Sequence, residues 1–332
     1  MRADQIPLSR GVFERLTALA MDVPAVLKQA GLPADLIGQT RVVLTTSQFF
    51  NLWRAAEALY DDPSLGLRLG DGARQEVYDV VSLAALHSAT LGEAIQKLAR
   101  YKRLTCPEDI SIELSRDDAA VSARWMLAEG HAPHFLIDAV FAAHLALAER
   151  GTGRSIRLKR LELTRRPTAT EVLHGHFHCE LRFNAAQDRI VYERADLDLP
   201  FITHDQDHLA RLLPTLEASL QEQSATTSLR DKVWNVLARG MRGSHLRMAQ
   251  VADALHLSPR TLQRKLGEAG TSYQQLLDQV RRHLAQRLLN ATDLDTGEIA
   301  FLLGFEELNS FNRAFRQWEG ETPTRWRSTI AG

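Results

Sequence analysis

Apolar and polar positions repeat along this chain with two different periods, and the places where the period changes divide it into segments. Apolar spacing over 12–30, 46–60, 76–89 and 91–104 follows the helical repeat. The period then falls to two: ISIELS (110–115) and AVSARWML (120–127) alternate around Arg116, Asp117 and Asp118, which predicts a β-hairpin. A long helix is expected around 133–150. The segments IRLKRLELT, ELRF and RIVYER alternate again, interrupted by a short helical stretch near 169–175. This half reads as an α/β (α+β) domain with a mostly antiparallel sheet.

The stretch EQSATTS, Glu222–Ser228, is polar and aperiodic, as expected of a boundary. Beyond it nothing reads as a strand, and seven helical stretches can be drawn from Leu229 to the C-terminus. The expected organisation is an α/β domain over 1–222, a linker over 223–229 and an all-α domain over 230–332.

An internal repeat lies in the all-α part. VADALHLSPRTLQRKLGEAGTSY from Val251 recurs, diverged, as IAFLLGFEELNSFNRAFRQWEGETP from Ile299. Val251 and Ala252 pair with Ile299 and Ala300, Leu255 with Leu303, Leu262 with Phe311, Leu266 with Phe315, and Gly270 with Gly320. Each copy reads as a short amphipathic helix, a tight turn and a second helix with a polar outer face, the plan of a helix-turn-helix. Ser258 is an N-cap and Pro259 fits the first helical position, where its missing N–H costs nothing.

With Leu262 and Leu266 inward, Arg260, Thr261, Gln263, Arg264 and Lys265 are left at the sides and outer face. Arg matches guanine and Gln matches adenine in the major groove, so Gln263 and Arg264 suit base readout, and Arg260 and Lys265 suit phosphates. In the second copy Phe311 and Phe315 turn inward and expose Leu308, Asn309, Ser310, Asn312, Arg313 and Arg316; Asn309, Asn312 and Arg313 are the candidate base readers. Between the copies, apolar residues at 273, 276, 277, 280, 284 and 288 predict an amphipathic helix. At ~1.5 Å per residue it spans roughly 27 Å, enough to set two recognition helices about one DNA turn (~34 Å) apart. One such helical pair, taken alone, is as well explained by a solvated bundle; its duplication favours DNA reading.

Charge sharpens this picture. The whole chain carries a formal net charge of -1, but 229–332 holds 15 Lys+Arg against 11 Asp+Glu, and 1–228 holds 25 against 30. The basic end is the expected DNA-binding end. A length of 332 residues suits two domains, and 45% hydrophobic with 24% charged residues is the composition of a folded protein. No apolar run approaches the roughly 20 residues of a membrane helix, and MRADQIPLSR lacks a secretory apolar segment, so a cytoplasmic protein without a membrane partner is expected. Cys106 and Cys179 have no CxxC spacing and are expected to be reduced and inert.

Other constellations are weighed and set aside. HGHFHC (174–179), read as an alternating segment, would bring His174, His176 and His178 to one side, but its position at a helix-to-strand junction favours structural histidines over a metal site. His131, His134, His204 and His208 are read as surface hydrogen-bonding groups. No P-loop, GxGxxG after a strand, GxSxG or HExxH occurs, so neither cofactor nor enzyme is expected. Trp53, Tyr78, Tyr101, Trp125 and Phe135 are aromatic candidates for an effector pocket, against the reading of each as plain core.

At IAFLLGF, FNRAF and GETPTRWR the chain resembles the AraC/XylS family of bacterial transcription regulators, over about 229–328. That resemblance implies two recognition helices at the positions above. Two departures stand out: His256 replaces the glycine found at Gly304 in the other turn, and Glu306 stands where a small N-capping residue is usual. Through TLGEAIQKLARYKRL and FHCELRF, roughly 10–210 resembles the effector domains of ornithine-utilisation-type regulators of that family. The resemblance implies small-molecule sensing and homodimerisation, rather than a small β-barrel. The expected function is an effector-controlled, sequence-specific regulator, an activator, with promoter DNA as partner and room for RNA polymerase. Two rivals are an enzyme fused to a DNA reader, for which no nucleophile and base converge, and a ligand-independent architectural protein.

Overall fold

The computed structural model describes all residues except 1–5, 9, 40–41, 73–78, 107, 126–131, 227, 242–245, 293 and 331–332. The described residues fall into two compact units, one up to Ser224 and one from Ala225.

The first unit opens with β1 (Ile6–Leu8), α1 (Arg10–Ala18), α2 (Val23–Gln29), β2 (Val42–Leu44), α3 (Thr46–Leu59) and α4 (Leu65–Asp71). It continues through α5 (Val80–Leu86), α6 (Leu91–Tyr101), the hairpin β3 (Glu108–Leu114) and β4 (Asp118–Trp125), and α7 (His134–Thr152). It ends with β5 (Arg160–Glu162), α8 (Thr170–Phe177), β6 (Glu180–Arg182), β7 (Arg189–Glu193) and α9 (Gln206–Thr226). Five strands form one mixed sheet in the order β3-β4-β7-β5-β6, antiparallel except for β5 beside β6. β1 and β2 pair separately.

Helix α7 is apolar around most of its circumference and most of its residues from Phe135 to Thr152 are buried, as in a helix packed on several sides. Its Phe135, Leu136 and Ala139 join one apolar cluster with α1–α3, whereas Ile137, Phe141 and Leu145 join a second with α5, α6 and the sheet. α4 lies against it unusually closely. A Cβ at Gly66 would fall 2.5 Å from the Phe135 carbonyl oxygen, and one at Gly70 2.4 Å from that of Ala139. Inside this unit Arg165 and Asp138 form a buried two-pronged ion pair, at 2.7 and 3.1 Å. Burial nonetheless pushes the Asp138 carboxyl up to about 6.

The structure departs from the expected elements in four places. The single helix over 12–30 is two: Ala20 takes φ 61° and Asp22 then caps α2, accepting from the Ala25 N–H at 3.1 Å. α4 was not expected, because LGLRLGD places leucines at every second residue and mimics a strand. HGHFH lies on α8 and its C-cap, not on an alternating segment. Successive side chains on a helix advance by about 100°, so His176 points away from His174 and packs edge-on against Phe177. The stretch read as a linker is mostly the last turn of α9, which runs to Thr226; residues 223–226 include Gln and Ala, and neither Gly nor Pro.

The second unit is helical throughout its described residues: α10 (Leu229–Gly240), α11 (Met248–Ala254), α12 (Pro259–Glu268), α13 (Tyr273–Ala291), α14 (Thr296–Leu302), α15 (Leu308–Glu319) and α16 (Pro323–Ile330). One apolar cluster runs through all of it, from Val233 and Val251 by way of Leu276, Leu277 and Val280 to Phe311 and Phe315. No helix of the described residues is long and apolar enough to cross a membrane.

Candidate nucleic-acid interface

Both repeats fold into the same helix–turn–helix by the same hydrogen bonds. In the first, the Leu257 N–H donates to the Ala252 carbonyl at 2.8 Å and the His256 N–H to that of Asp253 at 2.9 Å. In the second, Phe305 donates to Ala300 and Gly304 to Phe301, each at 2.9 Å. This closure needs a left-handed residue, and His256 (φ 53°) supplies it as Gly304 (φ 70°) does. The histidine therefore does not alter the turn.

The recognition helices start differently. Ser258 caps α12, its hydroxyl accepting from the Thr261 N–H at 3.1 Å. α15 is preceded by Glu307, not Glu306, and no side chain caps it. Both helices seat their apolar pairs fully: Leu262 and Leu266, Phe311 and Phe315 are 0% exposed.

What remains outward is polar and basic. Arg260, Gln263, Arg264 and Lys265 are exposed on α12; Thr261 is half-buried, its hydroxyl 2.8 Å from that of Ser258. Arg264 pairs with Glu268 one turn on, at 2.5 Å. On α15, Asn309, Arg313 and Arg316 are exposed and Leu308 is 41% exposed, while Ser310 and Asn312 are half-buried at the flanks of the apolar face. Gln317, exposed one turn beyond Arg313, continues the row of Asn309 and Arg313. Sequence reasoning passed over it although the i, i+4 spacing points to it.

The spacer α13 bonds to the segment before the first helix-turn-helix and to the second helix-turn-helix. At its N-terminus the Tyr273 hydroxyl donates to the Leu246 carbonyl at 2.5 Å, just before α11. Farther along, Arg281 donates to the carbonyls of Leu303 and Gly304 at 3.0 and 2.8 Å, and its guanidinium lies 4.3 Å from the Phe305 ring centroid. Arg282 and Gln286 both reach Glu319 at the end of α15, at 2.7 and 2.8 Å. Arg327 of α16 donates back to the Leu289 carbonyl at 3.1 Å. Arg281 bears no sequence signal, because it sits among the polar positions of an amphipathic pattern.

The five aromatic candidates of the first unit part company. Trp53, Trp125 and Phe135 belong to one cluster completed by Phe49 and Phe50, with ring centroids 5.3–5.5 Å apart. Tyr101 lies in the other apolar cluster, its hydroxyl bonded to Glu217, and Tyr78 falls outside the described residues. His131 also falls outside them. Cys106 and Cys179 are both buried, and burial raises both thiols, Cys179 to about 11.

Two helix-turn-helix units on one shared core, with an α/β unit preceding them, define a DNA-binding regulator with a sensory domain. Residues 21–201 match the family described as the arabinose-binding domain of AraC transcription regulator, N-term, and 251–329 match a helix-turn-helix domain. The chain is 30% identical to the ornithine utilization regulator of Pseudomonas aeruginosa, over 98% of this chain and 97% of that one. It is 24% identical to the transcriptional regulator VirS of Mycobacterium tuberculosis, over 96% and 94%. Among solved structures, the transcriptional regulator CdpR from Pseudomonas aeruginosa is similar at 22% identity and a TM-score of 0.47, over 96% and 97%. The chain belongs to the AraC family of transcription regulators, with an N-terminal ligand-binding domain and a C-terminal helix-turn-helix DNA-binding domain.

Proposed function

We propose that this regulator reads a two-part promoter site with α12 and α15, in response to a small molecule held by its N-terminal domain. Gln263 and Arg264 read bases in one major-groove segment, and Asn309, Asn312, Arg313 and Gln317 in the next. Arg260, Lys265 and Arg316 hold phosphates, Leu308 meets a thymine methyl, and Thr261 and Ser310 contact the backbone near the helix starts. The observation that carries this reading is that α13 bonds at its start to Leu246, before the first helix-turn-helix, and farther along to the turn and recognition helix of the second, its 19 residues spanning ~28 Å, near the ~34 Å of one DNA turn. The domain limits are 1–224 for sensing and 225–332 for DNA, and the protein acts in the cytoplasm as a homodimer, without enzymatic activity, activating transcription through RNA polymerase.

Footprinting on the promoter that precedes the regulator's own target genes tests it. Two protected segments about one turn apart are expected. Arg264→Ala or Arg313→Ala should each cost about 1–3 kcal/mol on that site and relax discrimination at one base. Equal weakening on target and random duplexes would refute base reading.

A further inference from the structure

Buried polar side chains in folded proteins are almost always hydrogen-bonded, because each one left alone costs the full price of its desolvation. One end of the first unit breaks this rule three times. Glu108 is 2% exposed, and among the described residues neither carboxylate oxygen has a hydrogen-bond partner. The indole N–H groups of Trp53 and Trp125 are likewise buried and unpartnered among the described residues.

Glu108 and Trp125 are direct neighbours, and one ring, Phe49, separates Trp125 from Trp53. Glu108 opens β3 directly opposite Trp125 at the end of β4, so both side chains leave the sheet on one face. The Trp125 ring packs against Phe49 at 5.4 Å, Phe49 against Trp53 at 5.5 Å, and Trp53 stacks on Phe135 at 5.4 Å. This is also where the two apolar clusters of the unit meet: Ile110, on the same face of β3, belongs to one, while Trp125 belongs to the other. Lys102 acts on Glu108 only through space, and burial holds the carboxyl above its ordinary range.

We infer that Glu108, Trp53 and Trp125 are the polar contacts of the effector site, and that the effector carries an ammonium-type cation together with a hydrogen-bond acceptor. A carboxylate beside aromatic faces is the chemistry that selects a cation, by charge-assisted hydrogen bonds and cation–π attraction. The two indole N–H groups can only donate, so the second group of the ligand must accept. A wholly apolar effector would leave all three unsatisfied. The inference rests on the reading of the N-terminal domain as the sensor, and specifies the ligand class.

The test compares three molecules of one length on the full chain: 4-amino-1-butanol, 1,4-butanediol and 4-hydroxybutanoate. Each is titrated to about 10 mM while thermal unfolding and tryptophan fluorescence are followed. The cation should raise the melting temperature and perturb the fluorescence saturably, with the neutral and anionic analogues inert. Glu108→Gln should weaken the cation's binding by at least about tenfold, since it removes the charge and keeps the shape. Trp125→Phe should weaken all binding severalfold and, being independent of Glu108, serves if Glu108→Gln does not fold. Preference for the diol or the anion, unchanged binding in both variants, or no binding by any of the three would overturn the assignment. If the cation binds but leaves DNA affinity unchanged, the site stands and effector control of DNA binding fails.

Discussion

The guanidinium of Arg281, on the spacer helix, donates to the carbonyl of Gly304 at 2.8 Å in the turn of the second helix-turn-helix. It also donates to Leu303, and so satisfies carbonyls at the C-terminal end of α14 that the helix itself leaves open. The charge sits favourably at that helix end and over the Phe305 ring. The second reader is thus held through its turn, and its recognition helix is held separately by Glu319.

Arg281→Met keeps the aliphatic stem and removes the donors. Stability should fall by about 1–3 kcal/mol in denaturant unfolding, because buried carbonyls lose their partner. In footprinting, protection of the half-site read by α15 should weaken more than that of the other. Equal loss at both would show that Arg281 serves the core rather than the second reader.

The two turns give a paired prediction about backbone strain. His256 pays for a left-handed conformation that glycine adopts freely. His256→Gly should therefore raise stability slightly, by up to about 1 kcal/mol once the added freedom of the unfolded chain is offset. Gly304→Val should lower it by more than about 1 kcal/mol, since a β-branched residue tolerates φ 70° poorly. Melting curves of the two variants check both signs.

Arg264 must leave Glu268 to reach a base, and both side chains of that pair are more than half exposed. Such a pair contributes little to folding, while its carboxylate lies on the helix meant to approach phosphates. Glu268→Ala should leave the melting temperature nearly unchanged and tighten DNA binding about twofold to tenfold, most at low salt. Weaker binding on every duplex would mean that Glu268 positions Arg264 productively.

Helix α9 is tied to α6 by Glu217, which accepts from Arg100 at 2.8 and 2.9 Å and from the Tyr101 hydroxyl. Hydrogen bonds from Arg100 and then Tyr101 hold its carboxyl down to about 2, below the ordinary 4.5. A lowered carboxylate contributes stability that is complete above about 4.5 and fades as pH falls toward 2. Wild type should lose stability over that window more steeply than Glu217→Gln, which has no proton to take up. Parallel pH profiles for the two proteins would count against the anchor.

How much was legible follows from what each residue's environment depends on. Leu262, Leu266, Phe311 and Phe315 announce themselves because the helical period alone sends them inward, and the structure buries all four completely. β1 and β2, three residues each, are too short for any period to register. The alternation that predicts the hairpin starts at Ile110; Glu108 is nevertheless in the ladder and buried. Its burial, like that of Arg281, is decided by elements distant in the chain, so no local pattern carries it. The aromatic cluster was legible in its members Trp53, Trp125 and Phe135, but the exclusion of Tyr101 depends on a helix more than a hundred residues away.

The apolar interior that runs unbroken from Val233 to Phe315 also limits how these readers can diverge. A cavity carved beneath one set of base contacts is felt beneath the other, so loosening mutations at Leu262 and at Phe315 should share a phenotype, although they underlie different halves of the operator. New specificity is accordingly easier to acquire at solvent-facing letters of α12 and α15 than by exchanging either half as a cassette.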